Sequence, residues 1–99
     1  MNVKSKQILF GTYIHDARSK VESALSCYSL TKIEENLYEA KCNSTGKGLL
    51  FPMTAQVKLV PRGRNATLVE INVQNDGRGS VQRWGCKNML ESIESKILS

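Results

Sequence analysis

The sequence predicts an α+β fold: one strand, one helix, four antiparallel strands and a long C-terminal helix packed on one face of the sheet. Three observations predict it. Two stretches, LLFPMTAQVKLVP and ATLVEINVQ, alternate apolar and polar residues with the period of a half-buried strand. Two others, one before and one after the strand-rich middle, carry a single apolar stripe at helical spacing. The strands are joined by short turn sequences, EEN and PRGRN, which leave room only for antiparallel neighbours.

The first strand is read over residues 6–14, KQILFGTYI. Ile8, Phe10, Thr12 and Ile14 alternate with Leu9, Gly11 and Tyr13, so both faces carry apolar residues. Gly11 marks a bulge or a close approach. Asp16 then stands as the N-cap of a helix of about three turns, with Ala17, Val21, Ala24, Leu25 and Tyr28 on its stripe. A hairpin follows, with arms 29–34 and 37–43 around Glu35–Asn36; Tyr38, Ala40 and Cys42 share one face of its second arm.

Leu49, Phe51, Met53, Ala55, Val57 and Leu59 all point one way along the next strand, against a mixed opposite face. Pro52 costs a ladder hydrogen bond and marks an edge or a bulge at that end. The last strand turns Val69, Ile71 and Val73 inward and Glu70, Asn72 and Gln74 outward. After NDGRG, Ser80 caps the final helix. Gly85, Cys86, Met89, Leu90, Ile93 and Ile97 span an arc of roughly 140° at about 100° per residue. Trp84, the one tryptophan, falls outside that arc, beside Asn88 and Glu91. It either tucks under an irregular first turn or covers a margin of the domain.

Ninety-nine residues suit one domain, 1–99, with a modest core. Apolar and charged shares of 40% and 23% are those of a globular chain, and no apolar run is long enough to span a membrane. The N-terminus lacks the apolar core of a signal peptide, so a cytoplasmic location is expected. Cys27, Cys42 and Cys86 have no metal-binding spacing and only one histidine to join them, and are expected to be reduced thiols. The net charge of +5 favours anionic partners or simply solubility.

The segment AQVKLVPRGRNATLVEINVQNDGRG, followed by an amphipathic helix, resembles the last hairpin and closing helix of the START-like (SRPBCC, polyketide-cyclase-like) superfamily. The order of elements resembles that family's helix-grip arrangement over nearly the whole chain. The chain is shorter than is usual there and has no room for a second helix after the first, so any cavity should be small. The TATA-binding-protein half-domain shares the same order. The START-like resemblance implies a small apolar or amphipathic ligand held between the C-terminal helix and the sheet. Its lining would come from the inward set Tyr38, Cys42, Phe51, Met53, Val57, Ile71, Met89 and Ile93, with Trp84 near the mouth. A plain packed core is the competing reading of that inward set.

Catalytic motifs are wanting. His15 adjoins Asp16, but neighbours at a strand–helix junction rarely face each other. Glu39 and Glu70 are read as solvated. STGKG lacks the phosphate-loop pattern and precedes a strand. Cys86 lies near a helix start beside Arg83 and Lys87, which would lower a thiol's pKa, yet it also sits on the core stripe. No cofactor, metal site or enzymatic activity is expected. The second reading is a site for an anionic macromolecule, nucleic acid or acidic protein, at Arg78, Arg83 and Lys87 with Trp84. Arg62 and Arg64 lie at the far end of the same strand, roughly 30 Å away at about 3.3 Å per residue. A third reading is a dimer formed through the first strand.

Overall fold

A computed structural model describes residues 2–42, 52–75, 77 and 79–98. Strand β1 (Asn2–Phe10) leads to helix α1 (Ile14–Ala24). Strands β2 (Ser29–Glu34), β3 (Leu37–Cys42), β4 (Met53–Pro61) and β5 (Thr67–Asn75) follow, and helix α2 (Ser80–Leu98) closes the chain. The five strands form one antiparallel sheet in the order β1-β5-β4-β3-β2. Both helices pack on the same face, α2 over β1 and β5 and α1 beside it over β4. This is the α+β arrangement the sequence predicts.

Alternation decides which face is covered. Met53, Ala55, Val57 and Leu59 of β4 and Val69, Ile71 and Val73 of β5 are buried under the helices. Ala17, Val21 and Ala24 of α1 and Cys86, Met89, Leu90, Ile93 and Ile97 of α2 close the core from above. The opposite face keeps Gln56, Lys58, Glu70 and Asn72 in contact with water or half-covered. One such layer of helices over one sheet face is the usual way to bury a wet-backed antiparallel sheet.

Four details depart from expectation. The first strand runs from Asn2 to Phe10 rather than over residues 6–14, because its polar N-terminal half pairs with β5 along the whole register from Asn2↔Asn75 to Phe10↔Thr67. It stops at Gly11, and Ile14 already belongs to α1. Asp16 is therefore not the N-cap: Tyr13 holds that position without a side-chain cap, and Asp16 lies in the first turn, where a carboxylate suits the helix dipole. At the other helix, Gly79 contributes the first accepting carbonyl, to the Arg83 N–H, and Ser80 is the first helical residue. Lastly, of the residues expected to lie between α2 and the sheet, the strand β5 ones lie chiefly under α2, while Tyr38 of β3 donates to Glu22 of α1. The stretch 49–51 of the expected fourth strand lies outside the described residues, as does the STGKG loop.

Two tight features hold the ends. Gly63, at φ +90°, turns the chain between β4 and β5. Gly77 lies so close to Gln82 that a β-carbon there would stand 2.5 Å from Gln82 Cγ. The space is kept for a buried polar bridge: Asn75 Nδ2 donates to Gln82 Oε1 at 2.8 Å, and the Gly77 N–H donates to Asn75 Oδ1 at 2.9 Å. Buried amides need such partners, and here they fix the start of α2 on the end of β5.

Candidate functional site

The strand ends opposite the Gly63 turn build an apolar concavity among the described residues. Cys42 pairs with Met53 in register, and Tyr28, just before β2, extends the same row. Above them α2 presents Trp84, Gly85, Asn88, Met89 and Ser92. Together these eight residues line a groove of about 260 Å³. That is just under the range of about 300–1,000 Å³ typical of drug-sized ligand pockets, so the space suits a small molecule or one apolar chain of a larger one.

Trp84 is 59% exposed and forms an end of the groove, so the first turn of α2 is regular and the ring is not tucked under. Trp84, Asn88, Ser92 and Lys96 lie on one ridge of the helix, four residues apart. Beyond the far end of the groove, Lys96 Nζ sits 5.5 Å from the centre of the Tyr28 ring and donates to Cys27 Sγ at 2.9 Å. The Cys27 contact, more than any other influence, raises the Lys96 pKa, so this ammonium stays charged.

Of the residues expected to line a ligand site, Cys42, Met53, Met89 and Trp84 meet at this groove. Tyr38, Val57, Ile71 and Ile93 are fully buried among other core side chains, away from it. Phe51 lies outside the described residues. Sequence reasoning did not single out Tyr28, Asn88 or Ser92 for this site. The ridge spacing of Asn88 and Ser92 from Trp84 was the available signal; nothing local in the sequence brings Tyr28 there. Of the anion-site residues, Arg83 and Lys87 are exposed on α2, on the flank of Trp84 turned away from the groove, and Arg78 lies outside the described residues.

The remaining candidates for chemistry are placed elsewhere. Burial pushes the Cys86 thiol pKa up, with the nearby Lys4 charge only partly opposing it, as its place on the core stripe of α2 predicts. His15 faces Arg18 rather than Asp16, with Nδ1 3.4 Å from the Arg18 Nη1 atom. Arg18 in turn donates from Nη2 to Asn36 Oδ1 at 2.8 Å, tying the β2–β3 turn to α1. Among the described residues no group of three histidine, cysteine, aspartate or glutamate side chains is placed to hold a metal ion.

A second depression, about 300 Å³, lies on the uncovered face of the sheet, where Ser5, Gln7, Gln56, Lys58, Glu70 and Asn72 contribute to its lining. Gln7 Nε2 donates to Glu70 Oε1 at 3.0 Å across it. Most of its lining is polar or charged, as on a strand face turned to solvent.

No family model matches the chain, and no curated protein matches it. Among solved structures, it is similar to a conserved protein from Geobacillus kaustophilus, with a TM-score of 0.55 and 15% identity over 98% of this chain and 92% of that one. At that identity the likeness concerns the fold alone. No helix among the described residues is long and apolar enough to cross a membrane.

Proposed function

We propose that this chain is a small non-enzymatic binding domain of START-like character, and that it holds a small apolar or amphipathic ligand in the groove between α2 and the ends of β3 and β4. One observation carries the reading: an exposed tryptophan stands with Met53, Met89, Cys42 and Tyr28 around a groove. Methionine and aromatic side chains adapt to varied apolar shapes. The strand order and the helix across the sheet support the family resemblance. Among the described residues the lining is apolar or neutral, with Asn88 and Ser92 as its polar side chains, which suits binding. Lys96 at the end of the ridge favours an anionic head group on an amphipathic ligand.

Native mass spectrometry of the protein purified from cells at low salt tests this. The expected result is a protein carrying extra mass of a few hundred daltons, lost when Ser92→Phe fills the groove from its half-exposed rim. Equal uptake by that variant overturns the proposal. A second reading, an anionic macromolecule held by the exposed Arg83 and Lys87, predicts affinity that falls steeply with salt and drops on Arg83→Ala.

A further inference from the structure

We infer that β1 is a dimerisation edge, and that its partner is β1 of a second copy of this chain, paired antiparallel to make one continuous sheet. The strand has β5 on one side and no described strand on the other. Its nine residues leave a row of backbone donors and acceptors ready for pairing.

One register of β1 against itself brings its exposed apolar residues together, with Lys4 set opposite Ile8 on the helix side. A two-fold axis perpendicular to the sheet keeps each residue on its own face. Centred on Lys6, it uses the whole strand, placing Asn2 opposite Phe10 of the second copy and Val3 opposite its Leu9. Val3 and Leu9 are on the uncovered face, 45% and 65% exposed, and neither is explained by the core of one chain. In this register they cover each other twice. Ser5 meets Gln7 of the second copy, a polar pair. Lys6 meets its own copy, which alone would repel, but each Lys6 is already ion-paired with Glu94 of its own α2.

Helix α2 provides an independent match. It lies about equally over β1 and β5. With strands about 4.8 Å apart, two copies joined at β1 bring their α2 axes to about 10 Å, an ordinary interhelical distance. The flank above β1 is marked by Glu94, which reaches Lys6. Arg83 and Lys87 lie on the same flank, Glu91 stands between that flank and Trp84, and all three are exposed. The flank is basic in its first half and acidic in its second. The two-fold sets the helices antiparallel, and because Glu94 reaches Lys6 the acidic part of each flank lies nearest the axis, where Lys87 is the basic residue that comes closest to the other copy's Glu94. None of this depends on the groove, which lies on the other side of Trp84.

Light scattering coupled to size exclusion, over a range from low micromolar to near millimolar protein, tests the inference. The mass is expected to rise from one chain to two. Val3→Glu/Leu9→Glu puts like charges opposite each other at exposed positions and should keep the circular dichroism of the fold, and the groove ligand, while the mass stays at one chain. Arg83→Glu/Lys87→Glu should also stay monomeric. One-chain mass at all concentrations in the unmodified protein overturns the inference, as does a dimer that survives both double variants.

Discussion

At the residue scale, the side chains that matter most are those whose partners lie far along the chain. Gly77 shows this best: its lack of a β-carbon leaves the room in which Gln82 meets Asn75. Gly77→Ala should therefore break a buried amide bridge and cost about 1–3 kcal/mol, read as a lower urea midpoint with an unchanged slope. Tyr38 makes a second case. Desolvation first, then the hydrogen bond its hydroxyl donates to Glu22 Oε1 at 2.8 Å, pushes the phenol up from 10.0 to about 12. The folded state thus keeps a proton that the unfolded chain releases. The stabilisation is full below pH 10.0 and is lost as the pH climbs toward about 12. Urea midpoints measured through that window should fall less steeply for Tyr38→Phe than for the unmodified protein. Neither relation could be read from the sequence, because residues 75 and 82, or 22 and 38, meet only once the helices are docked.

At the element scale, legibility followed periodicity. The alternation of β4 and β5 and the stripe of α2 identify the core face correctly, down to Met53, Val57, Ile71, Met89 and Ile93. The first strand was misplaced because its pairing partner, not its own apolar content, decides where it ends: Lys4 and Lys6 face the helix side in register with Val73 and Ile71. The groove was half legible. Helical angles set Trp84 apart from the core arc, but the row of Tyr28, Cys42 and Met53 opposite it comes from the sheet register. The same packing grades the thiols. Cys27 is exposed, Cys42 half-buried and Cys86 buried within α2's core face. Brief alkylation resolved by peptide mass should label Cys27 first, and Cys86 only once denaturant is added. The ridge that ends in Lys96 gives a further expectation: Lys96→Gln should weaken binding of a medium-chain carboxylate while leaving the alcohol of the same chain unaffected, as followed by calorimetry.

At the scale of the whole molecule, one sheet face is packed and the other is wet, and the unfilled apolar space lies where α2 overhangs the strand ends. The close-packed centre, with Ile71 and Ile93 fully buried, leaves the ligand reading to that overhang alone. The α2 helix then has two separate edges. The one bearing Trp84, Asn88 and Ser92 borders the groove, and the one bearing Glu94 reaches Lys6 of the strand at the edge of the described sheet. Binding and self-association should be separable by mutation. The most direct test of the binding account uses the chain's only tryptophan as its own reporter. Trp84 emission, recorded while a medium-chain carboxylate is added below its micelle concentration, should shift to shorter wavelength and saturate, and Ser92→Phe should abolish the response. An emission maximum that stays at the wavelength of a solvent-exposed indole throughout the titration would contradict the account.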